Sequence, residues 1–150
     1  MKTFENFNKD NFNKEIFDLI KYNKTDWLET YIKGGEDINI QDINGRSMLM
    51  VSIDYTKHRL SKLLIEYGID MNIQDNYGYT AGMYAASSNR LNDMIMCLET
   101  PDIDVDLINQ NGQTMFDLIY YKQDRDYILE HYPEKFQNEI KKIKTNEFNL

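Results

Sequence analysis

The sequence has few residues of the kinds that cross-link a fold, hold a metal or cross a membrane. Its single cysteine, Cys97, cannot form an internal disulfide, so we expect a reducing, cytoplasmic environment. The two histidines, His58 and His131, lie far apart without metal-ligand companions, which predicts no zinc site. No apolar run approaches the roughly 18 residues that span a bilayer. The N-terminal segment MKTFENFNKDNFNKE lacks the apolar core of a secretory signal.

Positive charge is also scarce. The 17 Lys and Arg residues stand against 25 Asp and Glu residues, which gives a net charge of −8. Nucleic acids and anionic membranes attract the opposite sign, so we expect neither to be a direct partner. A hydrophobic fraction of 41% and an aromatic fraction of 13% indicate one globular domain rather than a disordered chain.

A repeated tetrapeptide indicates how the chain is organised. NIQD occurs at residues 39–42 and again at 72–75, an interval of 33 residues. The flanks agree too, since Gly35 pairs with Gly68, Asp37 with Asp70, Gly45 with Gly78 and Ser47 with Thr80. A third copy, DIDVDLINQNGQTMFDL, places its glycine 34 residues after Gly78. NKEIFDLIKYNKTDWLETYIKGGEDIN resembles the second half of an earlier unit with one helix before it. Such a period is typical of stacked repeats.

Each unit predicts a turn followed by two helices. The turn glycines Gly45, Gly78 and Gly112 suit a positive φ, and the hydroxyls of Ser47, Thr80 and Thr114 can cap a helix. The stretches MLMVSI, AGMYAA and MFDLIYY predict short first helices, and apolar residues at helical spacing predict second helices. Gly34-Gly35, Gly68 and Pro101 are predicted stops, and Pro133 is the predicted start of a last helix.

This pattern resembles the ankyrin repeat, whose units begin D-x-x-G-x-T-P-L-H-x-A-A and end L-L-x-x-G-A-D-x-N. The matches are Asp75, Gly78, Thr80, Ala85, Ala86, Leu63, Leu64, Gly68, Asp70 and Asn72, with Gly35, Asp37 and Asn39 before them. The resemblance implies an all-α solenoid of stacked helix-turn-helix units with short β-turn tips, capped at both ends. The implied segments are a flexible N-terminus (1–12), a capping repeat (13–41), repeats at 42–74 and 75–108, a C-terminal repeat (109–132) and a capping helix (133–145). Residues 146–150 are expected to be poorly ordered.

The sequence departs from the ankyrin pattern at several core positions. Met48, Ala81 and Met115 replace the family's proline, and Met50, Met83 and Asp117 replace its histidine. Gly82 stands where the pattern has a core leucine, and the missing side chain could cost about 2–5 kcal/mol if nothing fills the space. We expect flexible methionines to fill it, with a pocket for a partner side chain as the alternative.

No arrangement of residues predicts catalysis or a cofactor. The DIDVD stretch at 102–106 has the opening spacing of a calcium loop, but Leu107 and Gln113 stand where such a loop needs glycine and glutamate. Cys97 falls on the buried side of a second helix, where a thiol packs as a small core residue. We therefore predict no enzyme, no metal and no cofactor.

The ankyrin resemblance implies a binding surface made of turn tips and the exposed side of each first helix. The implied partner-binding residues on the tips are Ile43, Asn44, Arg46, Asn76, Tyr77, Tyr79, Gln110, Asn111 and Gln113. On the first helices they are Asp54, Tyr55, Ser87, Ser88 and Tyr121, with Lys122 beside the last. The tyrosines would share one groove with Arg46, and Tyr and Arg contribute strongly at protein interfaces.

Two kinds of partner remain open. The first hypothesis is a non-catalytic module, a monomer when free, that binds a protein or peptide in the concave groove. The second is a small acidic inhibitor, of the immunity or phage anti-defence type, that covers a basic nucleic-acid-binding enzyme or toxin. The second hypothesis predicts binding that weakens steeply with salt.

Overall fold

Antiparallel pairs of helices make up the fold. The computed structural model describes the backbone of residues 9–148 and the side chains of residues 12–146. The helices are α1 (Lys9–Lys21), α2 (Thr25–Lys33), α3 (Met48–Asp54), α4 (His58–Glu66), α5 (Ala81–Ser87), α6 (Leu91–Leu98), α7 (Lys122–His131) and α8 (Gln137–Phe148), with a 3-10 helix at Phe116–Leu118. Within this range the fold is all-α, and its extended backbone pairs only in an isolated bridge between Gln41 and Ser47. Helix α1 begins inside the segment 1–12 that is predicted to be flexible, and residues 1–8 lie outside the described part.

The first helices start at the hydroxyl caps that the sequence predicts. Ser47 Oγ accepts the backbone N–H of Met50 at 3.3 Å, and Thr80 Oγ1 accepts that of Met83 at 3.3 Å. Each cap satisfies one of the N–H groups that a helix leaves free at its start. The caps therefore fix where α3 and α5 begin.

A residue in the left-handed conformation joins the two helices in each of the first three units. Asn23, Thr56 and Asn89 have φ values of 59°, 57° and 54°, and they are spaced by the repeat period. The N–H of each bonds to a carbonyl three residues earlier, for example Thr56 N to Ile53 O at 2.9 Å. Asparagine tolerates this conformation, whereas β-branched threonine is strained there. From the sequence, these positions are predicted only as a polar break between the two helices.

The helices stack in two layers. The first helices pack side by side, with α1 on α3, α3 on α5 and α5 on the 3-10 helix, while α2 packs on α4 behind them. The buried side chains between the layers form one continuous core, which runs from Ile16 in α1 to Phe136 before α8. Each unit therefore completes its core only against its neighbours, as expected of a solenoid.

The repeated NIQD tetrapeptide holds consecutive units together. Asn39 Oδ1 accepts the N–H of Asp70 at 2.9 Å, and Asn72 Oδ1 accepts that of Asp104 at 2.8 Å. Ile40, the second residue of the first NIQD copy, is a buried core residue. The side chain of Gln74 donates to the carbonyl of Ile108 in the following unit at 2.9 Å. The tetrapeptide therefore recurs because it makes the same contacts with the next unit each time.

Gly82 leaves a space that the next unit fills. A Cβ added at Gly82 would lie 2.8 Å from Met115 Sδ and 3.6 Å from Ile103 Cδ1. Met115 is itself buried, so its flexible side chain occupies the volume of the absent leucine. The prediction that a methionine repacks this site is confirmed, and the site is not an open pocket.

Two helices near the C-terminus differ from the prediction. The stretch MFDLIYY forms only the 3-10 helix Phe116–Leu118, and Ile119 is extended with ψ 113°. Buried Ile119 and the two aromatic residues after it have weak helix preference, and the chain leaves the helix there. The last helix starts at Gln137 rather than at Pro133. Residues before it form turns that bring the Phe136 ring to 5.5 Å from the Phe116 ring, between centroids.

Candidate functional site

Three turn tips project from the stack, and each is closed by one side chain. We name them tip 1 (residues 42–46), tip 2 (75–79) and tip 3 (109–113). Their first residue accepts two backbone N–H groups, as when Asp75 Oδ1 accepts those of Tyr77 at 2.9 Å and Tyr79 at 2.8 Å. Asp42 and Asn109 make the same pair of bonds in tips 1 and 3. The tip glycines have φ values of 75°, 80° and 73°, as the sequence predicts.

The tips are hydrogen-bonded to one another in a ladder. The N–H of Asn76 donates to Asn44 O at 2.9 Å, and that of Gln110 donates to Tyr77 O at 3.0 Å. The side-chain amides reinforce the rungs, since Asn76 Nδ2 donates to Ile43 O at 3.2 Å and Gln110 Nε2 donates to Asn76 O at 2.7 Å. Asn76 and Gln110, both implied partner-binding residues, therefore hold the tips together. The sequence alone did not indicate this role.

All the implied partner-binding residues are at the surface, and we call the surface that they form the tip face. None of them is buried, and only Arg46, Tyr79 and Gln113 are half-buried. The most exposed large side chains among them are Ile43 at 94% and Tyr77 at 65%. Tyr55 is exposed at the C-cap of α3. Tyr121 is also exposed, but its predicted place on a first helix is wrong, because the 3-10 helix ends at Leu118 and Tyr121 is the N-cap of α7. The tip face thus presents apolar and aromatic side chains on a hydrogen-bonded scaffold.

Arg46 joins tip 1 to the end of α3. Its guanidinium lies 2.8 Å from Asp42 Oδ2 and 3.4 Å from Asp54 Oδ2. Burial tends to lower the pKa of Arg46, but the hydrogen bond and charge of Asp42 outweigh it and raise that pKa overall. Arg46 therefore forms ion pairs with two carboxylates, and the three groups together leave one negative charge at this part of the tip face.

Tyr79 in tip 2 and Tyr84 in α5 connect this tip to the first helix. Their rings meet edge to face with centroids 5.9 Å apart, and Tyr84 Oη donates to Asp75 Oδ2 at 2.9 Å. Burial, and next the hydrogen bond to Asp75, raise the pKa of Tyr84 above its ordinary value. Tyr79 is therefore partly a structural residue. Tyr84 was missed by sequence reasoning because it lies within the apolar AGMYAA stretch.

The other candidate chemical groups have structural partners. His58 Nδ1 lies 2.9 Å from Asp93 Oδ1, and the His131 ring stacks on Tyr127 with centroids 4.0 Å apart. Cys97 is fully buried, and burial, then the charge of Asp93, raise the pKa of its thiol to about 12. A thiol with that pKa is protonated at neutral pH and is a poor nucleophile.

The described residues offer no assembled metal site or membrane span. Within them, no group of three or more His, Cys, Asp and Glu side chains is placed to hold a metal ion. In the DIDVD stretch, Asp104 Oδ1 accepts the N–H of Asp106 at 3.0 Å, and Asp106 Oδ2 accepts the amide of Asn138 at 2.9 Å. No helix between residues 9 and 148 is long and apolar enough to cross a bilayer.

The family is decided by a match over most of the repeats. The family model for ankyrin repeats in three copies matches residues 16–109. The chain belongs to the ankyrin-repeat family. Ankyrin repeats are a non-enzymatic fold that generally mediates protein–protein interaction, and this ankyrin-repeat chain has the tips and helix pairs of that fold.

Relatives of the ankyrin-repeat chain occur in viruses and plants. An ankyrin repeat domain-containing protein of cowpox virus is 38% identical over 65 residues, which cover 41% of this chain and 10% of that protein. A putative ankyrin repeat protein of fowlpox virus is 28% identical over 116 residues, or 71% of this chain and 27% of that protein. An E3 ubiquitin-protein ligase of Arabidopsis thaliana is 28% identical over 102 residues, or 65% of this chain and 6% of that protein. The chain spans no more than 27% of the length of these relatives.

A solved structure agrees with the fold. The ankyrin repeat domain of Bcl-3, a member of the IkappaB protein family, superposes with a TM-score of 0.65 over 75% of this chain and 50% of that one. The sequences are only 19% identical, so this likeness shows the fold alone.

Proposed function

We propose that this ankyrin-repeat chain is a non-catalytic binding module that grips a partner protein with its tip face. The observation that carries the proposal is the exposure of large side chains on a rigid support. Ile43 and Tyr77 are 94% and 65% exposed, although the backbone beneath them is fixed by the ladder. A backbone that is already ordered loses little further conformational entropy on binding. Tyrosine in particular contributes strongly at protein interfaces.

A cavity beside tip 1 also supports partner binding at the tip face. A cavity of about 650 Å³ lies between α1 and tip 1, with Phe17, Lys21, Ile43 and Arg46 among its lining residues. Its size lies within the range of cavities that accept organic groups. We infer that it receives an anchoring side chain of the partner, since hot-spot residues fill pockets of this kind.

The charges of the tip face favour a partner recognised through apolar contacts and hydrogen bonds. Arg46 is paired with Asp42 and Asp54, and the adjacent Ser87, Ser88 and tyrosine positions are uncharged. Binding by such a surface depends only weakly on salt, because few exposed charges are brought together.

A second candidate function is supported by the placement of the negative charge. Residues 63–121 hold nine of the 25 acidic residues and one of the 17 basic residues, so this stretch carries the whole net charge of −8. Its exposed acidic residues include Glu66, the last residue of α4, and Asp70 and Asp102, which follow α4 and α6. An acidic inhibitor that covers a basic enzyme would use this part of the molecule. That mode requires charge complementarity and high on-rates at low salt.

Site-specific photo-crosslinking tests the proposal even while the partner is unidentified. A photoreactive phenylalanine replaces Tyr77 in one variant and Tyr67 in another, and each variant is irradiated in the cell that produces the protein. Tyr67 is the matched control because it is 48% exposed at the end of second helix α4. We expect the Tyr77 variant to crosslink to one protein and the Tyr67 variant to give little crosslinked product. A third variant, with the photoreactive residue at Tyr55, should crosslink to the same protein as the Tyr77 variant. Equal crosslinking from Tyr67, or none from the tip face, would overturn the proposal.

The salt dependence of the captured complex separates the two functions. Binding through the tip face predicts an affinity that changes little between low and physiological salt. The acidic-inhibitor function predicts a steep loss over the same range, mainly through a slower association rate.

A further inference from the structure

Tips 2 and 3 each donate two hydrogen bonds to the tip before them. Asn76 in tip 2 donates its backbone N–H to Asn44 O and its side-chain amide to Ile43 O. Gln110 in tip 3 does the same to Tyr77 O and Asn76 O. The receiving edge is thus a pair of consecutive carbonyls, and a turn with an Asn or Gln occupies it in both cases.

Tip 3 has the same receiving edge, and it is open. Within residues 9–148, the carbonyls of Gln110 and Asn111 accept no hydrogen bond. A Cβ added at Gly45 would lie 2.6 Å from Asn76 Oδ1, and one at Gly78 would lie 2.9 Å from Asn109 Cα, since the next tip covers these glycines. A Cβ added at Gly112 meets nothing within 4 Å. The face that is covered on tips 1 and 2 is therefore bare on tip 3.

The segment that follows tip 3 closes the helices without covering the tip. Only residues 132–136 separate α7 from α8, so no fourth tip is formed there. The end segment packs on the helix side instead, with the Phe136 ring against Phe116 and Asn138 Nδ2 donating to Asp106 Oδ2 at 2.9 Å. The end of the helical stack is capped, whereas the end of the tip ladder is not.

An exposed isoleucine lies at the same edge. The side-chain amides of Gln41 and Gln74, which directly precede tips 1 and 2, donate to carbonyls of the next unit, Gln74 O and Ile108 O. The equivalent residue at tip 3 is Ile108, which is 55% exposed and has no forward-reaching amide. The edge therefore combines free carbonyls with an apolar side chain.

We propose that the edge of tip 3 binds a polar turn of a partner protein, one that offers a backbone N–H and an Asn or Gln side-chain amide. This edge is formed by the carbonyls of Gln110 and Asn111, the open face of Gly112 and the side chain of Ile108. The molecule itself binds such a turn at two equivalent edges. The docking adds one rung to the ladder, as in strand addition at an open sheet edge. The site lies at one end of the tip face, to which Gln110 and Asn111 belong and where the N–H of Gln110 bonds to Tyr77 O. It uses main-chain acceptors and Ile108 rather than the tyrosine side chains, so it can hold or fail independently of the function proposed for those tyrosines.

The probe is a cyclised peptide with the tip 2 sequence QDNYGYT, titrated into the ¹⁵N-labelled full chain. We expect amide chemical-shift changes concentrated at residues 108–113. A control peptide with alanine in place of the asparagine (the counterpart of Asn76) loses one donor, so it should bind about fivefold more weakly. Shifts centred on Tyr55 and Ser87 would place the peptide elsewhere and overturn the proposal. So would the absence of shifts up to the solubility limit of the peptide.

A matched pair of glycine variants excludes an indirect effect. Gly112→Asn places a side chain over the open edge, and Gly35→Asn places the same side chain at a distant glycine, with φ 81° and nothing within 4 Å, away from that edge. Both positions carry the same backbone strain, and asparagine tolerates it. We expect G112N to weaken the peptide by about tenfold through the loss of its main contacts. G35N should bind the peptide like the unchanged protein, and equal binding by G112N would contradict the proposal.

Discussion

Tyr84 Oη donates a hydrogen bond of 2.9 Å to Asp75 Oδ2, and this bond ties the first helix α5 to tip 2 of the same repeat. Tyr84→Phe removes the bond but keeps the ring against Tyr79. We expect the free energy of unfolding in urea to fall by about 1 kcal/mol, because the Asp75 carboxylate keeps its two backbone donors. A loss below the error of the measurement would mean that the helix does not position the tip.

The same variant predicts a change in alkaline stability. Burial and the bond to Asp75 raise the folded-state pKa of Tyr84 above its ordinary value of 10.0. As the pH rises past that value, the unfolded chain releases this proton first, so the folded protein loses stability. The fall in unfolding free energy above pH ~10 should be shallower in Y84F than in the unchanged protein. Identical slopes would contradict the assigned environment of Tyr84.

Gly82 is adapted to Met115, so the family's leucine should not fit. Gly82→Leu would bring new atoms onto Met115 Sδ, and overpacking of this kind costs about 1–3 kcal/mol. In the double variant with Met115→Ala the leucine can occupy the vacated volume. We expect the double variant to be more stable than the sum of the single changes by about 0.5–3 kcal/mol. Additive effects in thermal or urea unfolding would mean that the two residues do not share this space.

Thr56 is the one strained residue among the three helix-joining positions. Thr56→Asn matches Asn23 and Asn89 and should stabilise the fold by about 1 kcal/mol, because asparagine accepts the left-handed conformation. The reverse change, Asn89→Thr at φ 54°, should destabilise by a similar amount. The two unfolding curves should move in opposite directions, and movement in the same direction would refute this explanation.

The buried Asp93 depends on His58 from the neighbouring repeat. Asp93 is 2% exposed, and within the described part of the chain its one side-chain hydrogen bond joins Oδ1 to His58 Nδ1 at 2.9 Å. Its Oδ2 has no hydrogen-bond partner there and lies 3.9 Å from the Arg90 guanidinium, a longer ion pair. His58→Ala should cost about 1–3 kcal/mol by leaving a buried acceptor unpaired. Arg59→Ala is the control, because the Arg59 side chain is 73% exposed where it pairs with half-buried Glu29, and its loss should change stability by less than about 1 kcal/mol. Equal effects of the two changes would show that Asp93 has other support.

The sequence predicted the elements whose signals are local and repeated. The tip glycines, the hydroxyl caps and the helix pairs recur at fixed spacing, and each has one local physical cause. The sequence did not predict the ladder roles of Asn76 and Gln110, because their partners lie in the preceding repeat. The last unit was predicted as a regular helix, since MFDLIYY is apolar enough for one. Its break at Ile119 follows from the weak helix preference of Ile119 and the two aromatic residues after it, which the apolar pattern alone does not reveal.

The placement of single side chains was the least predictable part of the site. Tyr79 belongs by position to the set of exposed tyrosines, yet its ring rests on Tyr84 and is half-buried. The His58 and Asp93 pair joins two second helices, and no spacing rule in the sequence brings those residues together. Such contacts depend on side-chain rotamers and on the distance between stacked repeats.

The affinity of single alanine variants for the partner captured by crosslinking tests the central claim most directly. Tyr77→Ala is compared with Tyr67→Ala by calorimetry, after both are found to unfold at the temperature of the unchanged protein. We predict that Y77A raises the Kd by about tenfold or more, as truncation of an interface tyrosine does, and that Y67A leaves it unchanged. A Y77A variant that binds as tightly as the unchanged protein, or a Y67A variant that loses the partner, would contradict binding through the tip face.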